Sequence, residues 1–172
     1  MKAKLIFNGK EFEVELTEEE AKKFEQNTKK TGYERVQNVY ENFSAVSVDG
    51  IVKSDYFDDT GVGYFADRCY ESANYYSSYE VAENNARADK LMRQLRRFAV
   101  EHREKEIDWS NANQTKTSIA YDYETNKFVN WHYSQIPPFP AIYFDSDGTA
   151  ELAIKTFKDE LLWYFTEYKD SL

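Results

Sequence analysis

The feature that most constrains this chain is a stretch that recurs. Residues 75–90 read "YYSSYEVAENNARADK", and residues 143–158 read "YFDSDGTAELAIKTFK". At a constant offset Tyr75 meets Tyr143, Ser78 meets Ser146, Ala82 meets Ala150, Glu83 meets Glu151 and Lys90 meets Lys158. Tyr76 against Phe144 and Arg87 against Lys155 are close in kind. Each copy joins a short aromatic segment to a long helical pattern. The chain therefore folds as two units of similar plan, or as two βα junctions that resemble each other.

The elements around the junctions follow from periodicity. Leu5, Phe7, Phe12 and Val14 alternate about Asn8-Gly9, and both turn residues tolerate positive φ, which predicts an N-terminal hairpin. Thr17 with Glu20 three residues on forms a capping box, opening a short helix that ends near Gly32. Val36, Val39, Phe43, Val46, Val48 and Ile51 read as strands, with Asp49-Gly50 as a turn. The stretch 54–71, acidic and carrying Gly61 and Gly63, reads as a loop or broken strand. A long helix is expected from about Tyr79 to Arg103 on the stripe Val81, Ala88, Met92, Leu95 and Ala99, flanked by Leu91 and Phe98.

The second half repeats the order. Ile119, Tyr121 and Tyr123 alternate, residues 124–127 turn, and Val129, Trp131 and Tyr133 alternate back. Pro137, Pro138 and Pro140 exclude helix and central strand there, because each lacks a backbone donor. A short strand at 141–144 precedes a final helix expected over Thr149–Lys169, with Ala150, Ile154, Phe157, Leu161, Tyr164 and Tyr168 on one face and Leu162, Trp163 and Phe165 widening it. The fold class is α+β: antiparallel sheets with two long helices, an internal duplication of a ββ(β)α unit, and a preceding β-hairpin and short helix. The expected organisation is an N-terminal hairpin and capped helix over 1–30, a first half over 31–106 and a second over 107–172, within one compact domain.

Composition narrows the function classes. The 172 residues carry 31 acidic and 22 basic side chains, for a net charge of −9. A wholly basic nucleic-acid surface is thereby excluded, and a soluble protein that presents acid to a basic partner is favoured. An aromatic share of 17% excludes a disordered chain. Cys69 is the sole cysteine, so no internal disulfide forms, as expected in a reducing compartment. The N-terminal apolar run is too short and too soon broken by Asn8-Gly9 for a signal peptide. A cytoplasmic protein is the expectation.

Catalytic and metal-binding patterns are sparse. His102 ends the first long helix and His132 stands between Trp131 and Tyr133; neither has a nucleophile and an orienting acid at a suggestive spacing. One cysteine and two isolated histidines do not make a zinc set. Asp145, Asp147 and Gly148 faintly resemble a calcium loop but lack its remaining ligands; Ser146 or Asp147 as a helix cap explains them better. The glycines of "TGVGYF" lack the lysine of a phosphate loop. No enzyme and no cofactor is expected.

Two patches remain. Lys90, Arg93 and Arg97 recur at i, i+3 and i+7 with Arg96 beside them, a candidate anion-binding face or a merely solvated one. The second patch is acidic and aromatic: Asp55, Tyr56, Asp58, Asp59, Tyr64 and Asp67, with Asp49, Tyr70 and Glu71 around them. Spaced carboxylates imitate phosphates, and tyrosine supplies rigid contact area; a mobile acidic loop is the plainer alternative.

The blocks "KKTGYERV" (29–36), "SSYEVAENNARADKLMRQLRRFA" (77–99), "IDWSN" (107–111) and "YFDSDGTAELAIKTFKDELLWYFTEY" (143–168) together resemble small accessory proteins of phages and prophages of Gram-positive bacteria. The resemblance spans most of the chain after residue 29. It departs at Asp147-Gly148-Thr149, where a more helix-prone cap is expected, so the final helix should start late. The likeness brings no catalytic motif. It implies a non-catalytic counter-defence factor in the host bacterial cytoplasm, with a host immune effector, foremost a CRISPR effector nuclease, as partner and its nucleic-acid surface as the target. Its alternatives are a sponge for a nucleotide immune signal, a binder of host transcription or replication machinery, and a DNA-binding accessory protein. Monomer and dimer are both open.

Overall fold

The computed structural model describes residues 2–7, 10–19, 31–35, 42–56, 63–135 and 141–168. Within them the class is α+β: three antiparallel strand pairs and four helices. Strands β1 (Lys2–Phe7) and β2 (Lys10–Glu15) form the expected hairpin, with Leu5 opposite Phe12. Val36, Val39 and the expected helix beyond Glu19 lie outside the described residues.

Strands β3 (Asn42–Val46) and β4 (Val52–Tyr56) pair with Phe43 opposite Asp55. Their turn is set by Gly50 at φ +81 and by the Asp49 carboxylate, which accepts from the Ser47 hydroxyl and the Ile51 amide. A single antiparallel bridge then adds Tyr76 to β3: Ser44 N–H donates to Tyr76 O at 2.7 Å and Tyr76 N–H to Ser44 O at 2.9 Å. The Asn74 side chain extends this pairing, accepting from Val46 N and donating to Val46 O, both at 2.8 Å. An asparagine side chain here does the work of one more strand residue.

Between β4 and that bridge the chain makes a helix, α1 (Gly63–Glu71). The expected loop or broken strand is corrected from residue 63 on. Ala66 and Cys69, three apart, bury against Phe43, Ala45 and Tyr75. Two small side chains let the helix axis come close to the hairpin, and the Phe43 and Tyr75 rings stack at 4.6 Å.

Helix α2 (Tyr79–His102) matches its expected span almost to the residue. The Ser78 hydroxyl accepts from Val81 N, satisfying one of the amides that a helix N-terminus leaves unpaired. Gly32, at φ +90, packs under this first turn; a Cβ there would stand 2.6 Å from Val81 Cγ2. Its carbonyl accepts from Ser77 N, and Glu34 ties Thr31 N, Gly32 N and the Ser77 hydroxyl together. The backbone bond from Thr31 is the main reason the Glu34 carboxyl titrates down at about 2.

The second half has corresponding pieces at corresponding places. Strands β5 (Lys116–Asp122) and β6 (Lys127–Tyr133) pair throughout, and a single bridge joins Thr117 to Phe144, the partner of Tyr76 in the recurring stretch. Two residues after each bridge stands the cap, Ser78 in one half and Ser146 in the other. Four residues after each cap stands an alanine of 0% exposure, Ala82 or Ala150.

The final helix differs from expectation in two ways. It starts early, as α3 (Asp147–Thr156), because Ser146 caps Thr149 N and the buried Thr149 hydroxyl bonds Asp145. It is also divided at Phe157 (φ −113, ψ 25), giving α4 (Lys158–Thr166). The Phe157 ring packs edge-on against Phe98, 5.5 Å away. Hydrogen bonds from Phe157 N to Ala153 O and from Leu161 N to Phe157 O keep the two pieces joined.

Helices α2, α3 and α4 enclose the larger core of Leu91, Leu95, Phe98, Ala99, Phe144, Ala150, Ala153 and Leu161. Trp163, buried on the other side of α4 from Leu162, is covered by the Arg87 guanidinium 3.9 Å above its ring. Arg87 also grips Glu160 through two N–H donors, at 2.8 and 3.1 Å, so one side chain clamps α2 to α4 by stacking and by a bidentate bond.

Candidate interaction surfaces

The basic face lies where the helical spacing puts it. Lys90, Arg93, Arg96 and Arg97 are all exposed along α2, on the side away from Leu91, Leu95 and Phe98. Arg97 makes an open pair with Glu101 at 3.6 Å, an i, i+4 contact of little strength in solvent. Lys90, Arg93 and Arg96 make no ion pair or hydrogen bond among the described residues. The Arg93 guanidinium lies beside Gly50, reaching to 4.0 Å of where a Cβ would stand, so the β3–β4 turn borders the face. That turn exposes Val48 and Ile51, and Val100, seven residues after Arg93, is exposed as well. Cations and aliphatic groups thus share one surface, a composition the charge spacing alone did not announce.

The acidic and aromatic stretch is partly dispersed. Asp58 and Asp59 lie outside the described residues, as do the side chains of Tyr56, at the end of β4, and Tyr64, in the first turn of α1. Asp55 is half-buried on β4, close enough to Cys69 to add to the burial that pushes that thiol up. Asp67 is paired with Arg35, whose guanidinium also lies 5.4 Å over the Tyr70 ring. Its charge is offset by a partner 32 residues away, which no local spacing could reveal. Phe65, Tyr70 and Glu71 remain exposed on α1.

The two histidines separate in role. His102 stacks on Phe98 at 3.8 Å and bonds its carbonyl through Nδ1, finishing α2. His132 is exposed and bonds Asp147 Oδ1 through Nε2 at 2.7 Å, while the Thr117 hydroxyl donates to the same oxygen at 2.8 Å. The His132 bond leads in holding the Asp147 carboxyl below its ordinary range. Both donors converge on the acid, so the threonine hydroxyl is not presented to the imidazole as a nucleophile would be. The trio fastens the β5–β6 hairpin to the start of α3, where a carboxylate also complements the helix dipole. Asp145 is similarly occupied, accepting from Glu104 N and Lys105 N. Among the described residues no group of three or more His, Cys, Asp or Glu could hold a metal ion.

Two further nodes escaped the sequence reading. Lys116 is 0% exposed; its ammonium donates to Asn111 O at 2.8 Å and Ser134 O at 2.7 Å and faces the Trp109 ring. Asn85 links Tyr33, to which it donates, and Tyr168, from which it accepts. Burial, then the neighbouring Tyr33, Tyr164, Asp89 and Tyr76, push the Tyr168 hydroxyl up to about 12, so it stays a donor at neutral pH.

No family model, curated protein or solved structure matches this chain. Among the described residues no helix is long and apolar enough to cross a membrane.

Proposed function

We propose that the protein is a non-enzymatic, phage-encoded counter-defence factor that inhibits a bacterial immune effector, foremost a CRISPR effector nuclease, by covering its nucleic-acid surface. The likeness of its sequence blocks to phage accessory proteins and its net charge of −9 favour this reading. The observation that carries it is on α1, where Phe65 and Tyr70 stay exposed beside Glu71. Exposed aromatic anchors on a chain of net charge −9 suit a basic channel: the overall charge speeds association and the rings slow dissociation.

A second reading has its own support. The exposed Lys90, Arg93 and Arg96, with Arg97 only weakly engaged, form a surface for an anionic partner: DNA, or a nucleotide immune signal.

One experiment separates the two. The purified effector is titrated with this protein in competition with its guide or target nucleic acid, comparing the unmodified chain, the triple variant Asp55→Asn, Asp58→Asn, Asp59→Asn, and the double variant Arg93→Glu, Arg97→Glu. Inhibition in molar proportion to the effector, weakened by the Asn variant and by salt but kept by the Glu variant, supports the first reading. An Asn variant that competes as well as the parent sinks it. Retention on DNA or nucleotide that the Glu variant alone loses establishes the second.

A further inference from the structure

The side of α2 that carries the basic face is covered over its first half only. At about 3.6 residues per turn, Ala82, Ala86, Arg93, Arg97 and Val100 share that side. Ala82 and Ala86 are buried, and α2 packs on β3 and β4, whereas Arg93, Arg97 and Val100 are exposed. The change comes where Gly50 lies beside the Arg93 guanidinium: the β3–β4 hairpin ends there and the helix runs on. Val48 and Ile51 stand in that turn on either side of Asp49-Gly50, at 110% and 59% exposure. The turn thus forms a ledge over α2, with aliphatic side chains on its rim and cations along the helix beyond it.

Lys90, Arg93 and Arg96 have no partner among the described residues, and Arg97 has only its open pair with Glu101. The other acids nearby are engaged or turned away. Asp49 accepts from the Ser47 hydroxyl and the Ile51 amide, and Glu160 is gripped by Arg87. Asp89 lies toward Tyr76, Tyr164 and Tyr168, adding to the burial that pushes their hydroxyls up. The positive charge is therefore a local surplus on a chain of net charge −9, and it selects an anion. The apolar side chains select its kind. Bases of nucleic acids are held by stacking on aromatic rings, but valine and isoleucine border this face. Arginine beside apolar groups is instead a composition of protein–protein interfaces.

We infer that this ledge docks an acidic amphipathic segment of a partner protein, its carboxylates on Lys90, Arg93 and Arg97 and its aliphatic side chains against Val48, Ile51 and Val100. The inference rests on the second reading above for its surface and for the sign of the partner's charge, and it replaces nucleic acid or nucleotide by protein. Arginine forks take carboxylates through two parallel bonds. Aliphatic groups around such pairs exclude water and strengthen them.

The test is fluorescence anisotropy with three labelled probes: a peptide of about 18 glutamate and leucine residues patterned for one apolar helical face, a duplex DNA, and cyclic di-AMP. The peptide should bind saturably at 1:1. The double variant Arg93→Glu, Arg97→Glu should weaken it by roughly tenfold or more, the loss of two charge-assisted contacts. The double variant Val48→Ser, Ile51→Ser should weaken it by roughly fivefold or more, since partial burial of two aliphatic side chains is lost. Both pairs are exposed, so both variants should keep the parent melting temperature. DNA or cyclic di-AMP bound through Arg93 and Arg97 while the peptide is not overturns this inference and leaves the second reading standing. If none of the three probes binds, both fall. Peptide binding that the serine variant leaves unchanged rests on charge alone and overturns the aliphatic ledge as a docking site.

Discussion

Leu161→Ala tests whether α4 faces a core or an interface. Leu161 is 2% exposed and lies within the cluster of Leu91, Leu95, Phe98 and Phe144. The substitution removes three methyl-sized groups at about 0.8 kcal/mol each. It also enlarges a cavity of about 240 Å³ that Leu161 already borders, so the lining atoms gain nothing to collapse onto. The total should fall in the upper part of the range for such truncations, about 3–5 kcal/mol. For a chain of this length each kcal/mol moves the melting temperature by about 2–4 °C, so a fall of roughly 6–20 °C is expected. The assay is thermal unfolding followed by far-UV circular dichroism, with urea unfolding for the free energy. Leu161→Met, which keeps the volume, should cost less than about 1.5 kcal/mol. A melting temperature for the alanine variant within about 2 °C of the parent would refute core placement of this residue.

Gly32→Ala should destabilise by at least about 1–2 kcal/mol, because φ +90 strains an L side chain and its Cβ would meet Val81 Cγ2 at 2.6 Å; an unchanged urea midpoint would deny the close packing of residue 32 under α2. Acid should unfold the protein readily: the Glu34, Asp147 and Glu160 carboxyls all titrate below their ordinary values. The unfolded chain then binds more protons than the folded one, so these groups stabilise above the ordinary carboxylate range, and that contribution is lost as pH falls from 4.5 toward about 2. A melting temperature that is flat across this window contradicts the assignment, whereas Glu34→Gln should make the acid limb shallower.

Legibility followed distance along the chain. The hairpins, the Ser146 cap and the span of α2 rest on neighbours within a few residues, and the spacing of Lys90, Arg93 and Arg97 puts them together on a side that is exposed. What was misread needed partners farther away. Residues 63–71 carry glycine and acid in a loop-like mixture, and only the meeting of Ala66 and Cys69 with Phe43 and Tyr75 makes a helix worthwhile. The weak prospects of Asp147-Gly148-Thr149 as a helix start were overridden by Thr117 and His132, whose bonds to Asp147 come from the β5–β6 hairpin. Asp67 was placed in the acidic patch because its partner Arg35 is distant in sequence, and Lys116 drew no reading at all because the carbonyls that hold it, of Asn111 and Ser134, meet it only in the fold.

The two recurring units part company beside their bridges. The bridges place Ser44 where the other unit has Thr117, so Ala45 corresponds to Ser118. In the first, the connection from β4 to the bridge, residues 57–75, contains α1, whose Ala66 and Cys69 share a buried cluster with Ala45. In the second, the corresponding connection, residues 134–143, is shorter, and Ser118, 7% exposed, makes no side-chain hydrogen bond among the described residues. Ser118→Val supplies an apolar surface like that of Ala45 and gives up a hydroxyl that has no such partner to lose, so it should leave the melting temperature unchanged or raise it. A loss of more than about 1 kcal/mol, the worth of a typical hydrogen bond, would mean that the hydroxyl is satisfied within the fold.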